Sequence, residues 1–426
     1  MLNQRTRVLR ELLFYFYALF VFGSTFSIAL AQVSLGISLL LFIIVAAAER
    51  YQPFDKSLRW FYGFVGLYIL WMLIACLAGK TPLRSILILK EEWLFLTVPI
   101  GIYLLSGERY RRRLLNVFTV GVGIFALYGV VQMITGVHWF KSVAPQPGSE
   151  FGYVVKGNFP SPMTYGNYFG TATAFLAGLA LAGWKDFTRK KRLLLVAIIV
   201  LGLLSTLGSY NRGAFLGLLA CSIILGLTLP NRKLLLGVAG VIVVAAAVFI
   251  ASPGVRARLL SNLGKEINPA YEGGRAFIWN NSISIALANP VVGVGQGNFR
   301  DEYVKLLRPD IPGIRIRVHA HNDLINIAAI AGIPGMLFFA GMWVIVFRHI
   351  ILGWRKTGQS PARRQMWVAA LAGTVVFAVT SLTEATFADE EVRQMLMFIW
   401  AVGLWPWREE EMPDHGTGGN LGGKSS

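Results

Sequence analysis

Cysteine is almost absent from this chain, and that scarcity excludes two kinds of site. Among 426 residues the only cysteines are Cys76 and Cys221, and each lies within an apolar run. Two isolated thiols exclude a framework of disulfide bonds, and they exclude a zinc site built from cysteine pairs. Both side chains are expected to pack against other apolar groups in a membrane.

Charged side chains are also scarce. They make up 15% of the chain, whereas 55% of the residues are hydrophobic and the mean hydropathy is +0.57. A water-soluble domain of this size does not have that balance. Apolar runs close to the ~20 residues needed to cross a bilayer recur along nearly the whole chain. The sequence therefore predicts an all-α fold, a polytopic bundle of membrane helices.

Breaks at charged residues and at Pro/Gly-rich positions divide the chain into about twelve predicted spans. The spans lie near residues 12–30, 33–48, 59–79, 92–106, 114–135, 165–183, 192–209, 213–229, 234–251, 322–347, 366–383 and 392–406. Four parts follow, namely the first nine helices within 1–251, a large loop with short helices over 252–321, three helices within 322–407 and a flexible tail over 408–426. The first span is expected to be retained, because a second apolar run follows it at once.

The excess of positive charge follows from this topology. The formal net charge is +18, and most Lys and Arg residues lie in alternate loops, such as 109–113 and 185–192. Cytoplasmic loops collect basic residues, so both termini are expected in the cytoplasm and the large loop in the periplasm. The chain is thus predicted to be a multi-pass protein of the bacterial inner membrane, surrounded by membrane lipids, and nucleic acid is not an expected partner.

Several basic residues break this rule, because they lie on the predicted periplasmic face. They are Arg84, Lys90, Arg212, Arg275, Arg300, Arg315 and Arg317. Long loops cross membranes whatever their charge, which accounts for part of this set. Arg212, in the short turn SYNRGAF, must lie at the membrane surface and needs an anionic partner, unless it simply extends to water from a helix end. Arg275, in EGGRAFIW, is either an ordinary loop arginine or an anion-binding group near a helix N-terminus.

Two histidines, His319 and His321, precede the tenth predicted span in the segment RIRVHAHNDLINIAAIAGIPG. An imidazole at the membrane surface can accept a proton near neutral pH, so His321 is a candidate general base. Histidine caps at an interface are a structural alternative. A metal site is another alternative, although Asp323 is the only obvious carboxylate nearby. Asn322 is expected to cap the helix or to orient a neighbouring group.

Three loops on the predicted periplasmic face have less specific patterns. The stretch NPVVGVGQGNF lacks the strand and helix setting of a dinucleotide fingerprint, so it predicts either a tight loop that lets the backbone approach the site or simply a turn. The loop 136–164 contains GNFPSPMTYGNYF, whose aromatic residues suit sugar stacking and an interfacial cap equally well. The stretch 384–391 is acidic. None of these patterns assigns a function by itself.

The histidine segment resembles a known family. His321-Asn322 is followed after nine residues by Gly332 and after two more by Gly335, a pattern similar to that of the O-antigen ligase and polymerase superfamily. Arg212 with Leu216 is similar to the Arg-x-x-x-Leu element of that family, and the stretch 275–297 resembles its large periplasmic loop. The resemblance covers roughly residues 157–335 by motif and the rest of the chain by topology alone.

The resemblance implies a membrane-embedded, GT-C-like glycosyltransferase. Such an enzyme takes a glycan from undecaprenyl pyrophosphate and passes it to a hydroxyl of lipid A-core, which completes lipopolysaccharide, and it uses no nucleotide or other cofactor directly. O-antigen ligases, O-antigen polymerases and protein O-glycosyltransferases share these motifs. The ligase is the expected activity, and the polymerase is the main alternative. A secondary transporter is disfavoured, because the arginines lie at one surface and not at the bilayer midplane.

Under this resemblance the candidate residues take specific roles. Arg212 and Arg275 are predicted to clamp the pyrophosphate, and His321 is predicted to remove the proton of the acceptor hydroxyl. The predicted substrate-binding residues are Arg84, Lys90, Arg315, Arg317, His319 and Asn322. Arginine forks stabilise a leaving pyrophosphate without a metal ion, and one direct displacement inverts the anomeric carbon. Metal-independent, inverting transfer is therefore the expected mechanism.

Overall fold

A computed structural model shows how the chain folds. It describes residues 4–140, 144–148, 152–228, 253, 257, 260, 263–271, 273–307, 318–355 and 360–405. Within these ranges the chain is helical and forms no β-strand, apart from an isolated bridge between Pro147 and Tyr153. The predicted all-α class is confirmed. The predicted span 234–251 and tail 408–426 lie outside the described residues, as do Arg315 and Arg317.

The described α-helices are numbered here in chain order. They are α1 (Gln4–Gly23), α2 (Ile28–Glu49), α3 (Arg59–Ala78), α4 (Pro82–Leu89), α5 (Thr97–Leu105), α6 (Glu108–Thr135), α7 (Pro162–Ala182), α8 (Arg189–Gly208), α9 (Arg212–Thr228), α10 (Leu263–Ile267), α11 (Arg275–Ala288), α12 (Phe299–Val304), α13 (Asp323–Arg355), α14 (Pro361–Ser381) and α15 (Glu390–Gly403). Short 3-10 segments occupy Lys56–Leu58, Lys90–Leu96 and Thr386–Ala388.

Several of these helices can cross a membrane. Among the described residues, α2, α3 with its preceding turn, α6, α8 and α13 are long and apolar enough to do so, and α9 is a shorter apolar helix. A helix of about 20 residues matches the hydrocarbon thickness of a bilayer. The chain is therefore a multi-pass membrane protein, as the hydropathy predicted.

The centre of the bundle is formed by α7 and α14, which pack against each other. Most residues of both helices are buried, and many are Gly, Ala or Thr. Small residues let two helix backbones approach closely. A Cβ atom added at Gly178 of α7 would lie 2.8 Å from the carbonyl oxygen of Val368 in α14. These two helices contact protein on most sides, so they need less apolar surface than the helices around them.

The predicted span at 92–106 is not one unbroken helix. It begins in the 3-10 turn Lys90–Leu96 and continues as α5, which has nine residues. A helix that short rises about 14 Å, roughly half the hydrocarbon thickness. The turn is held by Arg393 of α15, whose Nη1 and Nη2 atoms each lie 3.2 Å from a carboxylate oxygen of Glu92 and Glu91. These acidic residues interrupt the apolar run and anchor the segment to α15.

A broken helix carries the glycine-rich loop. Within α13, Gly332 has φ 71°, and its φ/ψ values are not helical. Carbonyl groups near the break accept hydrogen bonds from the loop, since Val294 N lies 3.0 Å from Ala329 O and Gly295 N lies 2.9 Å from Ile330 O. The loop therefore satisfies backbone groups that the break releases. The predicted tight turn at NPVVGVGQGNF is thus a structural support for α13.

Candidate active site

Several helix ends meet at the predicted periplasmic end of the bundle. They are the start of α9 with Arg212, the start of α11 with Arg275, the segment before α13 with His319 and His321, and the connection between α14 and α15 with Glu384. The first four of these residues were candidates from the sequence. Glu384 was not, yet it joins two of them.

Arg275 is held by three different partners. Its Nε atom donates to the carbonyl oxygen of Thr383 over 2.7 Å, and its Nη2 atom lies 2.6 Å from Glu384 Oε1. Its Nη1 atom lies 3.5 Å from Glu266 Oε2. Gly274 is the N-cap of α11 and has no side chain to cap the helix, and the Arg275 backbone N–H donates to Glu266 Oε2 instead, over 3.1 Å. The guanidinium is thus fixed at a helix N-terminus, a position that favours anions.

Glu384 connects this arginine to the histidine. Its second oxygen, Oε2, lies 2.5 Å from His321 Nδ1, and its side chain is 10% exposed. Burial alone would raise the pKa of Glu384. The hydrogen bond with His321 and the positive charge of Arg275 outweigh burial, so the pKa of Glu384 lies below its usual value of 4.5. The carboxylate is therefore ionised at neutral pH and binds both the Arg275 guanidinium and the ring of His321.

His321 is held in an uncommon backbone conformation. Its φ is 51°, in the left-handed region that few residues other than glycine adopt. Its carbonyl oxygen accepts a hydrogen bond from Trp279 Nε1 over 3.3 Å. The next residue, Asn322, donates from Nδ2 to the Leu382 carbonyl oxygen over 3.0 Å, and its Oδ1 accepts from Ile325 N, as an N-cap does. Asn322 therefore both caps α13 and ties it to α14, and so helps to hold the strained backbone of His321 in place.

His319 lies beside His321, with ring centroids 4.4 Å apart. In the described part of the chain, His319, His321 and Glu384 form a group whose ligand atoms all lie within 4.8 Å of one another, close enough for a metal ion. The donor set is suitable, but both Glu384 oxygens already bind a cationic or N–H partner, and the Arg275 guanidinium would repel a metal ion. Asp323, the carboxylate considered from the sequence, instead accepts from the Phe387 backbone N–H over 3.0 Å.

Arg212 is positioned through a buried polar network. The preceding residue, Asn211, accepts from Ala214 N over 3.2 Å and so caps α9. Its Nδ2 atom also donates to Asn167 Oδ1 over 2.7 Å, and Asn167 in turn donates to Thr386 Oγ1 over 3.3 Å. This network joins the starts of α9 and α7 to the turn that follows Glu384. Arg212 Nη2 then lies 3.9 Å from Oε1 of Glu266, the residue that also contacts Arg275.

Arg84 and Lys90 lie on the segment between α3 and α5. Arg84 Nη1 is 3.2 Å from Asp301 Oδ2, and half of the arginine side chain is exposed. Lys90 lines a mainly apolar cavity of about 680 Å³ beside α3. Among the described residues, no hydrogen bond or ion pair links either side chain to the group around Glu384. Their part in substrate binding stays a prediction, and Arg315 and Arg317 lie outside the described residues.

Two acidic residues, Glu266 and Glu384, were missed as partners of the arginines. A signal was present, because each arginine at the membrane surface needs a counter-charge and acidic residues occur on the predicted periplasmic face. The stretch 384–391 was recognised as acidic and assigned to that face. Sequence alone did not indicate which of its carboxylates meets an arginine, since Glu384 is 109 residues from Arg275.

Part of the chain is similar to a known protein family. The family model described as O-antigen ligase matches residues 197–340. The match is consistent with the O-antigen ligase and polymerase superfamily. It contains Arg212, Arg275, His319 and His321, so the resemblance drawn from those motifs is confirmed over this stretch. No curated protein matches the chain. The family implies a membrane glycosyltransferase of the O-antigen ligase or polymerase type.

Proposed function

We propose that this protein is an O-antigen ligase. It transfers a glycan from undecaprenyl pyrophosphate to a hydroxyl of lipid A-core, on the periplasmic side of the bacterial inner membrane, with inversion and without a metal ion. One observation carries the proposal. A single ionised carboxylate, Glu384, binds both Arg275 and His321, two residues of the matched family segment. A base and an anion-binding group are therefore held side by side.

The arginines supply what the leaving group needs. Breaking the bond between the sugar and the pyrophosphate leaves negative charge on a phosphate oxygen. Arg212 and Arg275 both contact the Glu266 carboxylate, so they are close enough to share an anionic ligand. Guanidinium groups bind phosphate through paired N–H donors, and the N-terminus of α11 adds a backbone N–H. Donors fixed before the reaction stabilise growing charge without reorganisation.

The histidine supplies the base. Glu384 accepts a hydrogen bond from His321 Nδ1, so the proton of the neutral imidazole is held on that nitrogen. The other ring nitrogen, Nε2, is left to accept the proton of the acceptor hydroxyl. The acceptor oxygen forms its bond to the anomeric carbon as the bond to pyrophosphate breaks. The proton moves to His321, and the negative charge leaves with the pyrophosphate. One such displacement inverts the anomeric carbon.

Metal independence is supported by the contacts of the carboxylate. The Arg275 guanidinium lies 2.6 Å from Glu384 Oε1, so a cation already occupies the side of the carboxylate that faces the arginines. A divalent ion at His319, His321 and Glu384 would lie close to that guanidinium and be repelled by it. The proposal therefore assigns the charge-stabilising role of a metal ion to the arginines.

The test is transfer from a defined lipid-linked glycan to purified lipid A-core by the full-length protein, with a chelator present. His321→Ala is expected to slow transfer on the order of 100-fold or more, because the general base is lost. Arg212→Ala is expected to slow it as strongly. His138→Ala is the matched control, since His138 lies beside Gln132 and not in this group, and it is expected to leave the rate unchanged.

The products decide between the candidate functions. Glycan attached to lipid A-core supports the ligase, and a lengthened lipid-linked glycan would instead identify a polymerase. Movement of the lipid-linked glycan across vesicles without any transfer would identify a transporter. Near wild-type transfer by His321→Ala, with Arg212→Ala inactive, would refute the assignment of the base. A strict requirement for a divalent cation would refute the role given to the arginines.

A further inference from the structure

A carboxylate stands between the two arginines proposed to bind pyrophosphate. Glu266, in α10, places Oε2 3.1 Å from the backbone N of Arg275 and 3.5 Å from Arg275 Nη1. Its Oε1 atom lies 3.9 Å from Arg212 Nη2. One side chain is thus contacted by both guanidinium groups and by the first N–H group of α11, a helix of 14 residues.

The chemistry of these contacts matches that of a phosphate. Carboxylate and phosphate oxygens both bind guanidinium forks and helix N-termini. Two guanidinium groups that contact the same side chain repel each other, and the shared anion offsets that repulsion. The Glu266 carboxylate therefore lies where an anion between the two arginines would bind.

Glu266 is also easier to displace than the other carboxylate of the site. Its side chain is 25% exposed, whereas that of Glu384 is 10% exposed and binds His321 as well. The backbone of α10 is packed against the start of α11, because a Cβ atom at Gly274 would lie 2.2 Å from the Lys265 carbonyl oxygen. The glutamate side chain can rotate away from the arginines while its backbone stays in place.

We propose that Glu266 is an internal competitor of the donor. Its carboxylate occupies the pyrophosphate position between Arg212 and Arg275, and the donor must displace it in order to bind. The inference rests on the proposed function for the identity of the donor. It assigns Glu266 a role in setting donor affinity and no role in the chemical step.

The first test measures binding of inorganic pyrophosphate to the full-length protein by titration calorimetry. Glu266→Gln keeps the shape of the side chain and an acceptor for the Arg275 N–H, but it removes the charge. If the carboxylate occupies the site about nine-tenths of the time, its removal strengthens apparent binding about tenfold. Glu302→Gln, at a glutamate paired with Lys305, is the matched control and is expected to leave the affinity unchanged.

A double variant ties the effect to the arginines. In an Arg275→Ala background, Glu266→Gln is expected to give a smaller tightening, because only Arg212 is left for the carboxylate and pyrophosphate to compete for. An equal gain in that background would refute the competition. Unchanged or weaker pyrophosphate binding by Glu266→Gln alone would refute it as well, since a purely structural cap of α11 predicts that result.

Transfer kinetics give the second test and separate this inference from the proposed function. Glu266→Gln is expected to lower the KM for the lipid-linked donor about tenfold with kcat unchanged. A lower kcat would show that Glu266 takes part in the reaction and would refute the inference. If the wild type transfers no glycan but Glu266→Gln still binds pyrophosphate more tightly, the proposed function fails and the competition between Glu266 and pyrophosphate stands.

Discussion

Replacing Glu384 with glutamine tests the link between the histidine and the arginine. Glutamine keeps the size of the side chain but cannot carry the negative charge that both partners bind. Its amide can also donate a hydrogen bond to His321 Nδ1, which would leave the proton of the neutral ring on Nε2. That tautomer cannot accept a proton at Nε2. We therefore expect Glu384→Gln to lower kcat.

The size of the loss follows from the contact with His321. A hydrogen bond to a charged group contributes about 1.5–3 kcal/mol, and the 10% exposure of Glu384 leaves little screening by water. Each 1.36 kcal/mol of barrier is about tenfold in rate, so loss of this stabilisation predicts a fall in kcat of about 10- to 150-fold. The wrong tautomer would add to that loss.

The assay is donor-dependent transfer to lipid A-core, with kcat and KM determined separately. Glu384→Asp keeps the charge on a shorter side chain and is expected to recover part of kcat. Glu390→Gln is the control, because Glu390 begins α15 and accepts from Gln394 over 3.0 Å. If Glu384→Gln keeps more than half of the wild-type kcat, the link between Glu384 and the base is refuted.

Two further predictions concern stability. Gly332→Ala is expected to lower the thermal unfolding temperature, because it puts a Cβ atom 2.1 Å from the Val291 carbonyl oxygen at a φ of 71°, and strain of that kind costs about 1–3 kcal/mol. Gly66→Ala is the control, because a Cβ atom added at Gly66 has no neighbouring atom within 4 Å, and it should not destabilise the protein. An equal fall in unfolding temperature for both variants would contradict the strain assigned to Gly332. The pKa of Glu384 is lowered in the folded protein, so its ionised form stabilises the folded state at pH values above 4.5, the usual pKa of this group. This stabilisation is lost as the pH falls through the lowered pKa of Glu384 in the folded protein. The measurement compares the unfolding temperatures of wild type and Glu384→Gln from pH 7 to pH 3. The two temperatures should differ by a constant amount down to about pH 4.5 and converge below it. A difference that stays constant to pH 3 would contradict the stabilising role given to the ionised Glu384.

The strained conformation of His321 fits this view of the site. A left-handed φ at a residue other than glycine persists only when its surroundings enforce it. Here Trp279 binds the carbonyl oxygen of His321, and Asn322 fixes the residue that follows. The fold thus keeps a strained backbone at the residue whose imidazole contacts Glu384. Strained residues of this kind are more typical of functional sites than of ordinary helix caps.

The amino-acid sequence by itself determined the class of protein and most of the candidate residues. Hydropathy depends on composition over a window of residues, so the all-α membrane fold could be predicted without knowledge of packing. Arg212 and Arg275 were also recognisable, because basic residues close to the membrane are uncommon on the periplasmic face. His321 was recognisable because an imidazole can accept a proton near neutral pH. The span at 92–106 was less accurate, because Glu91 and Glu92 are stabilised by Arg393, about 300 residues further along the chain.

Only the tertiary structure decided which groups meet. Glu384 lies 63 residues after His321, and Glu266 reaches both arginines from a different segment. Contacts over such distances along the chain depend on how α9, α11, α13 and α14 pack, and no local pattern of residues specifies that packing. The sequence therefore supplied the charges, and the helix packing determined that one carboxylate links the base to an arginine while another lies where the phosphate is proposed to bind.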